Sequence, residues 1–253
     1  NSEASQDYRE IVDDAVTVWF ELENGDRAIA WTTTPWTLPA NSALAVNPNM
    51  TYLRMQDTDG AVYIIAETRL KAYEKQFSTT TEVGRISGAE LAGMHYNPLF
   101  PYYENPTGLL YQVIPADYVS DSDGTGIVHI APAYGADDFW AAKNIDPKFP
   151  VLLNVDNYGN FTDDVLDFAG QNIFAATPAI LEWLKTNGKL IKKEQYKHSY
   201  PFGDRSKEKL IYRATDSWYI DVPKIKDKLI ANNNLVNWTS AGERFRMWIE
   251  NAR

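Results

Sequence analysis

The residues whose types and spacing could do chemistry fall in two stretches. The first, Trp31 to Asn41, reads WTTTPWTLPAN and offers the hydroxyls of Thr32, Thr33, Thr34 and Thr37, the indole of Trp36 and the amide of Asn41. The second, Gly124 to Phe139, reads GTGIVHIAPAYGADDF and adds the imidazole of His129 and the carboxylate of Asp138. Together these groups suit a site that holds a cation on Asp138, lines a small pocket with Thr and His, and orients water with hydroxyls. Each also has a plain structural explanation. The threonines could be a strand edge protected by Pro35, Asn41 a turn former, His129 a satisfied core histidine and Asp138 an acid at a helix start. No phosphate loop, dinucleotide fingerprint or GxSxG elbow is present. Without Cys or an evident Ser nucleophile, covalent catalysis has little to recommend it.

The elements that must position these groups can be read from the pattern around them. Ala15 to Leu22 alternates as a half-buried strand, turns at Asn24 and Gly25, and returns as a β-branched and aromatic strand from Ala28 to Thr34. Pro35 disfavours helical geometry at Thr34 and removes a ladder donor, so the threonines end the strand and enter a loop. A meander is expected over Ser42–Val46, Tyr52–Gln56 and Val62–Ala66, then a short helix over Glu67–Lys75 and a strand over Phe77–Ile86. Gly88 to Phe100 reads as a compact turn and strand. Tyr111–Ile114 and Gly126–Ile130 read as strands, the second carrying His129, and Asp137 and Asp138 open a helix to about Asn144. Asn157–Asn160 is a hairpin turn signal. Thr177 and Pro178 are expected to start a helix that Gly188 ends, Pro223 to start another with Ile225, Leu229 and Ile230 inward, and Arg244–Ala252 to form a last one with Phe245, Trp248 and Ile249 on one face. Many short strands with a few peripheral helices give an α+β fold with a β-barrel-like core.

Composition bounds the function. The chain of 253 residues has no Cys, three His and a formal charge of −10. It cannot build thiolate metal sites or disulfides, a His-based metal site has little material, and a reducing, cytoplasmic setting is expected. No apolar run is long enough to span a membrane and no charged-then-apolar leader is seen. The acidic balance argues against gripping duplex nucleic acid through its phosphates. Nine Lys or Arg against three Asp or Glu from Lys185 to Arg213 make a local basic strip, which could receive a nucleic-acid end or simply be a solvated face. That rise in charge marks a modest boundary, giving 1–192 and 193–253. The absence of an initial Met and the ending directly after an amphipathic pattern are those expected of a segment of a longer polypeptide.

WTTTPWTLPAN together with GTGIVHIAPAYGADDF resembles the two signature stretches of the editing (connective peptide 1, CP1) domain of isoleucyl-tRNA synthetase, a class I synthetase. The TTTPWT run separates this family from its valyl and leucyl relatives, whose corresponding stretch resembles TTRPET. The resemblance continues through GAELAGMHYNPLF (Gly88 to Phe100) and VDNYGNFT (Val155 to Thr162). Lys197 to Ile220 and the final RFRMWIENAR resemble the segments that lead back to the synthetase's catalytic core. Around Phe202 to Lys209 the chain departs from relatives that carry Cys and Trp, having Gly203, Asp204 and Lys207, so a metal site there is not expected.

The resemblance implies 1–192 as the editing core and 193–253 as the return toward the parent catalytic core. It implies hydrolysis of valine misattached to tRNA(Ile), with valyl-adenylate as a further substrate and isoleucine excluded by size. The alternative is a module that binds the tRNA acceptor end without hydrolysis of its own. Carried onto matching positions, Asp138 would bind the α-ammonium and Thr37 and His129 would wall the side-chain pocket, with Trp36 beside them. Thr32, Thr33 and Thr34, with Asn41, would position the ester, the terminal adenosine and the attacking water. No metal or cofactor is implied. The implied partners are the valine-bearing 3′ end of tRNA(Ile) and the rest of the parent enzyme, with no membrane and a monomeric chain.

Overall fold

The computed structural model describes residues 7–218, 220–238 and 242–251. The chain divides into two compact units, one reaching Ala214 and one beginning at Thr215. The charge rise near Lys192 therefore marks no break between units. It falls inside a strand of the first unit, Leu190–Phe202, which is hydrogen-bonded along most of its length.

In the first unit the strands are β1 (Asp7–Leu22), β2 (Arg27–Thr32), β3 (Ala43–Val46), β4 (Thr51–Gln56), β5 (Val62–Ala66), β6 (Thr81–Ser87), β7 (Tyr96–Asn97), β8 (Gln112–Pro115), β9 (Ile127–Ile130) and β10 (Leu190–Phe202). Its helices are α1 (Gly88–Leu91), α2 (Ala136–Ile145) and α3 (Ile173–Thr186), with 3-10 turns at Pro35–Ala40 and Glu67–Tyr73. The strands form one mixed sheet with the path β6-β4-β5-β2-β9-β3-β8, while β1 joins β2, β7 and β10. Its two ends, β6 and β8, do not pair with each other, so the sheet is an incomplete barrel rather than a closed one. Its interior is the main core, where Val16, Val18, Phe20, Leu44 and Ile64 are fully buried. A smaller cluster around Ile29, Leu53, Ile65 and Tyr73 packs on the opposite face.

The order of β9 matters most for the site. It lies between β2, to which it is parallel, and β3, to which it is antiparallel. Trp31 pairs with Val128, which puts the next residues, Thr32 and His129, side by side on one face of the sheet. That face is the inner one: Thr32 and His129 are buried while Trp31 and Val128 are only partly so. Strands distant in sequence, joined in parallel, are what bring the two chemical stretches together.

Two details differ from the sequence reading. The segment after Pro35 is a buried 3-10 helix rather than an open loop, with all six of its residues inside. Helix α3 begins at Ile173, with the Asn172 side chain accepting from Phe174 N at 3.1 Å, so Thr177 and Pro178 lie within it. Asn172 caps the helix a full turn earlier, and the buried Ile173 and Ala176 extend the apolar stripe in that direction. Thr177 then satisfies the Ile173 carbonyl with its hydroxyl at 2.9 Å. Gly188 does follow the helix, with φ of +65°.

The long ribbon of β1 and β10 also accounts for the basic strip. Acidic residues of β1 pair with it: Asp14 with Lys193 at 2.8 Å, Glu10 with Lys197, and Asp13 with Lys209 at 2.7 Å. Much of the local positive charge is thereby matched within the protein, which fits a solvated face better than a groove for phosphates.

The second unit, taken by itself, is the helices α4 (Val222–Leu235) and α5 (Gly242–Glu250). Asp221 caps α4 through Lys224 N at 3.4 Å, and Trp238 stacks on Phe245 with centroids 5.3 Å apart. Of the apolar residues expected inward, Ile225, Phe245 and Trp248 are exposed and α4 buries none. Two short helices cannot enclose a core of their own.

Candidate active site

Four of the expected site residues form one hydrogen-bonded chain. Thr37, within the buried 3-10 turn, and Asn41, at its C-terminal end, grip the His129 ring from both sides. Thr37 Oγ1 is 2.9 Å from Nε2, and Asn41 Nδ2 is 2.8 Å from Nδ1. Proton accounting fixes the direction of every link. Asn41 Nδ2 donates to the Ala43 carbonyl at 3.0 Å and, with its other hydrogen, to His129 Nδ1, which must accept. The ring proton therefore sits on Nε2 and is donated to Thr37 Oγ1, whose own hydrogen goes to the Thr34 carbonyl at 2.8 Å. Burial pushes the His129 pKa down to about 3, so the ring is neutral at physiological pH. Asn41 Oδ1 is occupied too, accepting from the Tyr96 hydroxyl at 2.6 Å.

The threonines continue this chain toward the surface. Thr34 N donates to Thr32 Oγ1 at 3.1 Å, and the Thr34 hydroxyl lies 3.3 Å from that of Thr32 and 3.4 Å from that of Thr37. Among the described residues no hydrogen bond engages the Thr33 hydroxyl. Thr33 lines two clefts. One, of about 290 Å³, is shared with Thr32, His129, Trp31, Tyr118 and the Ser120–Gly126 turn; the other, of about 220 Å³, is shared with Thr34, Phe174, Tyr200 and Lys209.

Asp138 lies in the first turn of α2, where a carboxylate is favoured by the helix dipole. Its Oδ2 accepts from Ala131 N at 2.8 Å, which ties it to the end of β9 just beyond His129. It does not line the larger cleft directly. Its charge is felt by Tyr118, which does: the Tyr118 hydroxyl is pushed up by burial first and then by Asp138 and Asp137. Asp138 itself is raised to about 6, by desolvation first, against the lowering by Ala131 N and with a further push from Asp137. Among the described residues no ion pair relieves that cost. A carboxylate in this state is poised to take an ammonium group.

The structure thus gathers Thr32, Thr33, Thr34, Thr37 and His129 and sets Asp138 at the end of the same strand. It places one expected residue, Asn41, behind the others and leaves Trp36 at the edge of the smaller cleft. Asn41 is 4% exposed with every polar atom of its amide engaged inside the protein, so it stands behind His129 and has nothing left to offer an ester. Trp36 is 5% exposed and packs edge-on against Tyr134 and Phe174, and its remaining surface lines the smaller cleft beside Thr33 and Thr34. Among the described residues no group of three or more His, Asp or Glu converges as metal ligands would.

No family model matches the chain. Curated relatives match it from end to end: the isoleucine–tRNA ligase of Chlamydia trachomatis serovar L2 is 40% identical over 259 residues, and that of Bdellovibrio bacteriovorus 42% over 261. The cytoplasmic enzyme of Schizosaccharomyces pombe is 40% identical over 265 residues. Along its whole length the chain is similar to one segment of the isoleucine–tRNA ligases. It spans about a quarter of the length of these ligases, 25%, 24% and 25% respectively. Its fold is that of synthetase CP1 editing domains. The leucyl-tRNA synthetase CP1 structure from "Gl" aligns with a TM-score of 0.60 at 17% identity, covering 71% of this chain and 99% of its own. The Plasmodium knowlesi cytosolic leucyl-tRNA synthetase editing domain aligns at 0.53 and 13%, covering 74% and 97%. No described helix is long and apolar enough to cross a membrane.

Three residues escape a reading of the sequence alone. Tyr96 meets Asn41 across 55 positions, and Tyr118 enters the cleft from a loop. Arg69 holds that loop by donating to the carbonyls of Asp121, Ser122 and Gly124 at 3.2, 2.9 and 2.9 Å. The available signal was the GTG run: Gly124 and Gly126 both have positive φ, and a Cβ on Gly126 would lie 2.4 Å from Ala66 Cβ.

Proposed function

We propose that the chain is the editing module of an isoleucyl-tRNA synthetase, an aminoacyl-ester hydrolase that frees valine from Val-tRNA(Ile), with valyl-adenylate as a further substrate. The observation that carries this reading is the hydrogen-bonded pair of Thr37 and His129, set beside hydroxyls at an open cleft that His129 lines, with a carboxylate that meets no cation among the described residues at the end of the same strand. Valine and isoleucine differ by one methylene, and this pair is the standard illustration that pocket burial of such a group gives only about 1–3 kcal/mol of discrimination. A second, smaller pocket that hydrolyses what fits it supplies the remainder.

In this reading Asp138 takes the α-ammonium and the terminal nucleoside occupies the cleft beside Tyr118. Thr37 and His129 limit the side chain. Thr33, whose hydroxyl is uncommitted, contacts the ester or the attacking water, while Thr32 and Thr34 hold it in place. Asn41 supports His129. Residues beyond Ala214 lead back toward the catalytic core of the parent enzyme, which acts on tRNA(Ile) as a monomer in the cytoplasm, the setting named for the S. pombe relative.

The test is deacylation of Val-tRNA(Ile) and Ile-tRNA(Ile) by the wild-type chain and by Thr37→Ala. Release of valine alone by the wild type, and of both amino acids by the variant, supports the sieve. A variant that still spares Ile-tRNA refutes the steric role of Thr37. Binding without any release of valine would make the chain an acceptor-end binding module instead.

A further inference from the structure

We propose that Tyr96 is a positioning residue for specificity: through Asn41 it fixes the His129 imidazole in one tautomer and one orientation. The inference rests on the reading of His129 as a wall of the valine pocket.

Tyr96 lies on β7, 5% exposed, in a stretch that is two residues of strand and otherwise loop. Its ring is held edge-on against Phe20, with centroids 5.3 Å apart, and against Tyr111 at 6.0 Å. Its backbone N donates to the Tyr111 carbonyl at 2.8 Å. So clamped, the ring delivers its hydroxyl to one point, Asn41 Oδ1 at 2.6 Å. A short bond from a neutral donor in a dry interior is strongly directional.

The amide of Asn41 is consequently fixed at three corners: Tyr96 on the oxygen, and Ala43 O and His129 Nδ1 on the two hydrogens. The Ala43 carbonyl, which can only accept, demands an N–H from the amide, and the Tyr96 hydroxyl on the oxygen holds the amide plane in the one setting that also points N–H, and not C=O, at the ring. That choice makes Nδ1 the acceptor and places the proton on Nε2, aimed at Thr37. Tyr96 thereby sets the wall of the pocket without being part of it. Removal of its hydroxyl leaves a buried carbonyl oxygen unpaired and one corner of the amide free. The imidazole then gains a second orientation, and a pocket whose limit is one methylene gives way.

The experiment combines Tyr96→Phe, which keeps the ring, with kinetics and with ¹⁵N spectra of the histidine side chains of the folded chain. Wild-type His129 is expected as a single neutral Nε2–H form. In Tyr96→Phe the His129 signals are expected to broaden or split, and the ratio of kcat/KM for the valyl over the isoleucyl ester to fall about tenfold. The kcat for the valyl ester is expected to stay within about twofold, because no reacting group is touched. Tyr111→Phe, which removes a neighbouring hydroxyl bonded to the Tyr103 carbonyl, should change neither reading. In an Asn41→Ala background Tyr96→Phe should add nothing further to the loss of discrimination.

Retained discrimination with a single sharp Nε2–H form in Tyr96→Phe overturns the proposal, as does a full additive effect in the Asn41→Ala background. If Tyr96→Phe does not fold, the wild-type chain decides: a slowly exchanging Tyr96 hydroxyl proton close to the Asn41 side chain supports the link, and its absence overturns it. A wild type that releases no valine defeats the proposed function, yet the spectra still judge Tyr96.

Discussion

Replacing Asp138 by Asn should make the protein more stable and a worse enzyme at the same time. The Asp138 pKa is about 6 in the folded chain against an ordinary 3.8, a difference of roughly two units or about 3 kcal/mol between the two protonation states. Because the folded state holds the proton more tightly than the unfolded one, folding favours the protonated carboxyl. Asp138 therefore costs nothing below pH 3.8, and its burden grows until the pH has passed about 6. Asn keeps the bond to Ala131 N, since an amide oxygen also accepts, and carries no charge. Urea denaturation should show Asp138→Asn about 3 kcal/mol more stable than wild type at pH 7, with the gain vanishing near pH 4. Activity should move the other way. If an ammonium pairs with the ionised carboxylate, wild-type kcat/KM for the valyl ester should climb about tenfold from pH 5 to pH 7. The variant should lose that limb and fall about ten- to a hundredfold at pH 7, the worth of one charge-assisted hydrogen bond. Equal stability of the two proteins at pH 7, or an acid limb that survives in Asp138→Asn, would refute the assignment.

Two further outcomes concern the scaffold. Gly126→Ala combines a φ of +79° with a Cβ 2.4 Å from that of Ala66, so it should cost about 3 kcal/mol or more and displace the start of β9, read as a lowered urea midpoint with weakened valine release. Arg54→Met strands the Asp26 carboxylate, 4% exposed and now held by the guanidinium at 2.9 and 3.0 Å. A loss of about 3–5 kcal/mol is expected, and most of it should return in the Asp26→Asn, Arg54→Met double variant, with deacylation by the folded fraction unchanged in both.

The strands around the site were legible because their patterns are local: β2, β4, β5 and β9 coincide with their sequence signals to within a residue or two. The barrel-like arrangement was legible as a class and not as a topology. That β9 slots between β2 and β3 is a pairing of distant segments, and alternation within a strand says nothing about its neighbours. The site stretches could be listed from the sequence, but side-chain roles within them could not be separated. Asn41 and Thr37 are both polar residues of the same run. Only the register shows that the amide faces the far side of His129 and the hydroxyl the near side. Trp36 belongs to the same run, and Pro35 and Pro39 wind it into a 3-10 turn that buries most of the indole and leaves its remaining surface on the smaller cleft.

The same hydrogen-bond accounting limits where a base for hydrolysis can come from. His129 is the one imidazole at the site, yet its Nδ1 lone pair is filled by Asn41 and its Nε2 already bears the proton it gives Thr37. To accept a proton it would have to break a buried bond and charge a ring whose pKa is about 3. In the proposed reading Asp138 is committed to the ammonium, and a threonine hydroxyl is a poor base. The remaining candidate within reach of the ester is the free hydroxyl of the substrate's own ribose, with the threonines orienting it and the water. Val-tRNA whose terminal adenosine lacks the hydroxyl next to the ester should therefore be hydrolysed at least about a hundredfold more slowly, although every protein contact is intact. Its binding, measured by competition with the natural substrate, should change little. An unimpaired rate on that substrate would return the role of base to the protein and, with it, require that the Asn41 bond to His129 open during the reaction.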